Sequence, residues 1–308
     1  MQRILLMVLR NLFKVPYMWF KLCHYAKHTE EYPELEKWQH IQKILTIAVE
    51  TGNIDLKVTG QENIPEENGF LMYGNHQGMF DVLAIAATCD NPLAAVLKKE
   101  LANIPFLKQI MQCTNSFAMD REDLRQSMTV ISNVIKEVKK GRNYLIFPEG
   151  TRSKDGNNVG DFKGGSFKAA TKTKCPIVPV ALIDSFKPFD TNSINPVDVQ
   201  VHFLEPLYYE EYKDMKTLEI AEELTSSIIG KIFEERLSDI FDFEVEENSS
   251  NLVWYHLNHL NNIFQESLSL TKKSRLFWIA LGLCVQFQVL IEISSGFNVM
   301  KELHSNRL

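Results

Sequence analysis

The chain has 308 residues, 45% hydrophobic and 23% charged, with a formal net charge of −6 at neutral pH. That length can bury a sizeable core in one large or two modest domains, and the negative balance excludes general nucleic-acid binding. Five scattered cysteines, Cys23, Cys89, Cys113, Cys175 and Cys284, make no C-x-x-C pair, which excludes a zinc ribbon or a disulfide framework and points to a reducing, cytoplasmic setting.

The chain opens MQRILLMVLRNLFKVPYMWFKLC. Cations run through its apolar stretch and no small-residue cleavage site follows, so it is expected to be retained rather than removed as a signal peptide. Arg3, Arg10, Lys14 and Lys21 are 7, 4 and 7 residues apart, which puts them on one stripe of a helix opposite Leu, Met, Val, Phe and Trp. The pattern predicts a helix lying in a lipid headgroup region, with its cations favouring anionic lipid and Pro16 kinking it. The alternative is a helix packed on its own domain with a solvated basic stripe. A second amphipathic helix is expected in EEYPELEKWQHIQKILTIAVETGN, with Trp38, Ile41, Ile44, Leu45 and Val49 at helical spacing. Residues 1–54 thus form an amphipathic two-helix membrane-binding segment.

From residue 55 the texture changes to short β-rich runs, at 55–59, 69–73, 93–97, 115–119, 143–147, 177–182 and 198–204. Helical patterns alternate with them. The clearest is REDLRQSMTVISNVIKEVKKG, with Leu124, Met128, Ile131, Ile135 and Val138 a turn apart, Asp120 as N-cap and Gly141 as the stop. Alternating strands and helices predict an α/β domain over 55–240, a mostly parallel sheet flanked by helices, whose ligands bind beyond the carboxyl ends of the strands. The acidic DFEVEENSSN is expected to be a linker into a helical C-terminal extension, 241–308. Within it, 251–270 is amphipathic. The apolar stretch 276–293, broken by Gln286, Gln288 and Glu292, is expected to be an interfacial or packed helix rather than a membrane span.

The chemistry gathers at strand ends. His76, in NHQGMFD, follows one apolar run, and Asp81 falls in the first turn of the next helix. A carboxylate there can hold one imidazole nitrogen and leave the other to take a proton; alternatively His76 caps a turn and Asp81 favours the helix start. No serine or cysteine adjoins the pair and no G-x-S-x-G elbow occurs, so a substrate hydroxyl is the candidate for deprotonation. After another run comes Pro148-Glu149-Gly150-Thr151-Arg152-Ser153, where glycine permits close approach and arginine offers a planar fork for phosphate. Arg121 ends SFAMDR, and Lys98 and Lys99 follow LAAVL. Four cations at converging strand ends indicate a site for a phosphate monoester.

NHQGMFD, SFAMDR, FPEGTRS and CPIVPVAL, in this order and spacing, resemble the four blocks of the glycerolipid acyltransferases, and among them the 1-acylglycerol-3-phosphate acyltransferases. The resemblance covers roughly 55–210. It implies transfer of an acyl chain from acyl-CoA or acyl carrier protein to the sn-2 hydroxyl of 1-acylglycerol-3-phosphate, giving phosphatidic acid in phospholipid synthesis. It makes His76 the general base and Asp81 its orienting partner. Arg121, Glu149, Gly150, Thr151 and Arg152 become the phosphate and glycerol pocket, with Lys98 or Lys99 a further contact, and the block around Pro179 shapes the donor site. Ser116 stands where many members have glycine, and Met119 where isoleucine or valine is common. No cofactor and no metal is implied, and the enzyme is expected at the cytoplasmic face of the cell membrane, peripheral or monotopic. Glycerol-3-phosphate or another lysolipid as acceptor, and a non-catalytic lipid-binding protein, are the competing expectations.

Overall fold

The computed structural model describes residues 2–246, with side chains through residue 236. Contacts divide the chain into two units, Met1–Ile232 and Phe233–Leu308. The segments expected at 251–270 and 276–293 lie outside the described residues.

Three helices come first: α1 (Gln2–Arg10), α2 (Val15–Lys27) and α3 (Glu34–Thr51). Then follow β1 (Ile54–Thr59), β2 (Leu71–Gly74), α4 (Asp81–Thr88), β3 (Leu93–Lys98), α5 (Leu107–Thr114), β4 (Phe117–Met119), α6 (Leu124–Val138), β5 (Asn143–Ile146), α7 (Lys168–Thr173), β6 (Ile177–Ile183), α8 (Lys187–Asp190), β7 (Val197–Phe203), α9 (Tyr209–Tyr212) and α10 (Thr217–Glu246). The strands form one sheet in the order β1-β7-β6-β2-β5-β3-β4. Every neighbouring pair is parallel except β6 with β7. The fold is therefore α/β with a mostly parallel sheet, and all seven expected strands are present.

Both sheet faces are covered, as a parallel sheet requires. Alternation along each strand deals its side chains to opposite sides: Leu71 and Tyr73 of β2 join a core with Val134, Phe167, Ile220 and Leu224. Met72 joins the other, with Trp38, Ile41, Ile85 and Val180. Because β2, β3, β4, β5 and β6 run the same way, their carboxyl ends lie along one edge.

Five local expectations are corrected. The N-terminal stretch is two helices, not one kinked helix: residues 11–14 form a turn, where Lys14 and Val15 N–H both reach the Asn11 carbonyl, and Pro16 sits in the first turn of α2, where its missing N–H costs nothing. Arg3 leaves the basic stripe altogether. It is fully buried, with its guanidinium donating to the carbonyls of Gly52, Asn53, Pro188, Ser193 and Asn195. Arg10, Lys14 and Phe13 remain exposed, Phe13 at 96%, with Leu5, Leu9, Leu12, Tyr17 and Phe20 around them.

Helix α6 is capped by Asp123, whose carboxylate accepts from the Arg125 and Gln126 N–H groups; Asp120 is drawn away by Lys99. The apolar set of α6 is wider than one face, and the row Val130, Val134, Val138 is the buried one, leaving Leu124 and Met128 exposed. Finally, α10 runs on through Asp242 to Glu246, where a linker was expected. No proline interrupts that stretch, and its glutamates are good helix formers. Among the described residues no helix is long and apolar enough to cross a membrane.

Candidate active site

The His76 turn bridges the end of β2 and the start of α4, and it is tied down from several sides. The Asn75 amide bonds both the N–H and the carbonyl of Leu182 on β6, locking the turn to the neighbouring strand. The His76 N–H donates to Glu149 at 2.7 Å, and the Ser153 N–H donates to the His76 carbonyl at 2.7 Å. The imidazole stacks on Phe147, with ring centroids 4.3 Å apart. Its Nδ1 meets Asp81 Oδ2 at 2.6 Å, so the local pairing expected from five positions of sequence is present. Nε2 has no hydrogen-bond partner among the described residues and its ring lines a cavity.

Asp81 is fully buried, and its carboxylate is held by more than the histidine. The Gln77 and Gly78 N–H groups and the Ser185 hydroxyl donate to it. These donors satisfy the hydrogen-bonding capacity of a carboxylate that burial would otherwise leave without partners.

The cavity has a volume of about 310 Å3 and joins two kinds of lining. Its polar and charged lining includes His76, Lys98, Arg121, Thr151 and Arg152. Its apolar lining, the slot, comes from α3, α4, β3 and α5, with Trp38, Leu45, Leu83, Ala86, Leu93 and Ile110 among others. The Arg121 guanidinium donates to the Gly150 carbonyl. Partial burial lowers its proton affinity, with Glu100 opposing and Arg152 adding to the effect; a guanidinium remains a cation throughout the physiological range. Arg152 pairs with Asp190 of α8 at 3.2 Å, and Lys98 lies 3.4 Å from Glu100.

Two candidates stand behind the cavity instead of lining it. Glu149 is buried, accepting from the His76 and Gly160 N–H groups, and burial pushes its carboxyl up to about 7. Gly150 has a φ of +72°, the left-handed region that favours glycine. Lys99 is not in the cavity: its ammonium pairs with Asp120, which raises its proton affinity.

The structure adds residues that the sequence pattern did not single out. Lys163 lies across Gly150, so close that a Cβ at Gly150 would come within 2.7 Å of its Nζ. Ser185 and Gln77 brace Asp81. Ser185 follows β6 almost directly, so the strand-end rule that found the cations could have found it. The slot had no such signal, since its apolar residues look the same in sequence whether they face sheet or cavity. Among the described residues no group of three or more His, Cys, Asp or Glu could hold a metal ion.

Comparison with known proteins bears on this geometry directly. A family profile described as Acyltransferase matches residues 55–183. The 1-acyl-sn-glycerol-3-phosphate acyltransferase of Borreliella burgdorferi is 32% identical over 193 residues, covering 61% of this chain and 74% of that one. The chain belongs to the acyltransferase family. The Salmonella typhimurium enzyme of the same description is 33% identical over 182 residues, covering 58% of this chain and 74% of its own. The crystal structure of the 1-acyl-sn-glycerophosphate (LPA) acyltransferase PlsC from Thermotoga maritima shares the fold, with a TM-score of 0.64 at 24% identity, over 76% of this chain and 96% of that one. The matched residues 55–183 of this acyltransferase run from β1 to the end of β6 and so include His76, Asp81, Arg121 and Arg152.

Proposed function

We propose that this O-acyltransferase moves a fatty acyl chain from acyl-CoA or acyl carrier protein to the sn-2 hydroxyl of 1-acylglycerol-3-phosphate, giving phosphatidic acid for phospholipid synthesis. The observation that carries this reading is one cavity whose lining combines the cations Lys98, Arg121 and Arg152, an apolar slot, and His76, whose Nδ1 is held by Asp81. The names of the curated relatives agree with it.

In this reading Arg121, Arg152, Lys98 and Lys163 hold the acceptor's phosphate, with Thr151 beside the glycerol. Arginine suits an oxyanion through its planar fork, and Lys163 adds a point charge over the bare face of Gly150. The acyl chain of the donor occupies the slot, which brings its thioester carbonyl toward His76. Nε2 of His76 takes the proton from the acceptor hydroxyl as the oxygen attacks that carbonyl, and Asp81 holds the resulting imidazolium through Nδ1–H. The tetrahedral adduct collapses to the new ester and expels the thiolate, which accepts the proton. Holding both substrates in line is the larger task, worth on the order of 7–11 kcal/mol; the base contributes roughly 10²–10⁴-fold.

The exposed apolar face of α1 and α2 is proposed to rest on the cytoplasmic face of the membrane, with Arg10, Lys14 and Lys21 near anionic headgroups. A one-chain acceptor then enters from the bilayer while the donor arrives from solution.

Purified protein in detergent, assayed with both donors against lysophosphatidate, glycerol-3-phosphate and monoacylglycerol, tests the reading. His76→Ala is expected to lose roughly 10²–10⁴-fold in kcat, and Phe13→Glu to release the protein from anionic vesicles in a flotation assay. Full activity of His76→Ala removes the base, and transfer only to monoacylglycerol removes the phosphate site. Unchanged flotation of Phe13→Glu removes the membrane face.

A further inference from the structure

Ser185, on the segment between β6 and α8, does not line the cavity and meets the Asp81 oxygen that His76 does not, and no part of the mechanism above uses it. It is fully buried. Its hydroxyl oxygen is 2.5 Å from Asp81 Oδ1 and 3.0 Å from Gln77 Oε1, yet a serine carries a single hydroxyl proton. The surrounding bonds decide where that proton goes. Gln77 Oε1 already accepts from the Ser185 backbone N–H at 3.0 Å. The Gln77 amide cannot turn over, because its Nε2 donates to the Leu182 carbonyl and to Asn157 Oδ1. Asn157 is fixed in turn, since its Oδ1 accepts from the Asp184 N–H and its Nδ2 donates to the Asp184 carboxylate. Gln77 Oε1 has a second lone pair, but the carboxylate oxygen is the stronger acceptor and is 2.5 Å away against 3.0 Å, so the Ser185 hydroxyl points at Asp81.

We infer that Ser185 is a positioning residue for the acyl-transfer reaction, acting through Asp81. The carboxylate has two oxygens with different duties. Oδ2 takes Nδ1 of His76 and the Gln77 N–H, both at 2.6 Å, and Oδ1 takes the Ser185 hydroxyl, with the Gly78 N–H shared between them at 3.0 Å. Ser185 is the only side chain other than His76 that donates to Asp81 among the described residues. Without it Oδ1 keeps only the shared, longer bond from the Gly78 N–H, and the carboxylate is freer to rotate about its χ2 and take the imidazole with it. The strand carrying CPIVPVAL, which the family resemblance links to the acyl donor, would thereby also set the orientation of the base.

The inference rests on His76 and Asp81 being the base and its partner, and a double-mutant cycle separates the two claims. Asp81→Asn alone is expected to lower kcat by roughly 10²-fold or more; activity equal to the unaltered enzyme would overturn the dyad, and Ser185 with it. Ser185→Ala is expected to lower kcat about tenfold, the scale of one hydrogen bond to a charged group, while KM for lysophosphatidate and for acyl-CoA stays within about twofold. In the Asp81→Asn background the same serine change is expected to cost nothing further, because its route is already broken. Ser185→Cys, which keeps the shape and weakens the donor, reads the same loss should the alanine variant not fold. With Asp81→Asn impaired, unchanged kcat in the serine variant, a loss confined to KM, or an equal loss in both backgrounds overturns the role of Ser185 and leaves the dyad standing.

Discussion

Replacing Arg3 by alanine tests the feature of the structure least like the expectation from sequence. The guanidinium is fully buried, has no carboxylate partner among the described residues, and spends its donors on five carbonyls, those of Gly52, Asn53, Pro188, Ser193 and Asn195. Gly52 and Asn53 directly follow α3, where the helix dipole concentrates negative charge. Burial lowers the proton affinity of Arg3, and the ring of carbonyls is what makes the buried cation tolerable. Hydrogen bonds to a charged group are worth about 1.5–3 kcal/mol each, and desolvation cancels much of their sum. Truncation to alanine leaves the carbonyls without their donor and a void besides, so the net cost is about 3 kcal/mol. For a domain of this size that lowers Tm by about 6–12 °C. Thermal unfolding in detergent followed by circular dichroism measures it, with Arg10→Ala as the control. Arg10 also bonds the α3 end, to the Thr51 carbonyl and the Asn53 side chain, but it is exposed, and its removal should cost less than about 1 kcal/mol. Equal, small losses in the two variants would refute the claim that Arg3 anchors α1.

Ala86 lies in the wall of the apolar slot and is itself buried. Ala86→Phe is expected to shift donor preference toward shorter chains while KM for lysophosphatidate changes less than about twofold; an unchanged chain-length profile would place the acyl chain elsewhere. Glu149 gives a pH signature. Its folded-state value of about 7 exceeds the ordinary carboxylate value of 4.5, so its stabilising contribution is fully present below about 4.5 and is lost as pH rises through about 7. Relative to Glu149→Gln, the unaltered protein should lose on the order of 3 kcal/mol across that window. Parallel pH profiles of Tm for the two proteins would contradict the effect.

What was legible in the sequence was local or periodic. Seven strands could be marked because apolar runs between turn residues carry a period of their own. The His76 and Asp81 pairing could be anticipated because five positions across a strand-to-helix turn leave few other geometries. Arg121 and Arg152 could be placed together because parallel strands deliver their carboxyl ends to one edge. The misjudged features depend on direction and on distant chain. Lys98 ends β3 and Lys99 is the next residue, and only the first reaches the cavity while the second turns to Asp120. Asp120 and Asp123 are equally plausible caps in sequence, and the pairing with Lys99 decides between them. Arg3 looks like one more interfacial cation until residues 188–195, nearly two hundred positions away, supply its carbonyls.

The misplaced arginine also changes how the N-terminal helices relate to catalysis. Taken as an amphipathic anchor alone, they could be exchanged for any apolar segment without touching the site. The packing argues otherwise. Helix α2 rests on both α3 and α5, and those helices wall the slot with Trp38, Ile41 and Ile110. His40 of α3 bonds the Met18 carbonyl of α2 at 3.1 Å, and Leu22 of α2 is fully buried in the same core as Trp38. Arg3 fixes α1 to the backbone at Pro188, two residues before the Asp190 that holds Arg152. The segment proposed to lie on the membrane is thus joined to the apolar slot through α2 and, through α1, to the chain beside Arg152, a residue of the proposed phosphate site. A lipid surface that holds α1 and α2 in place would thereby hold the apolar slot and Arg152 in register with His76.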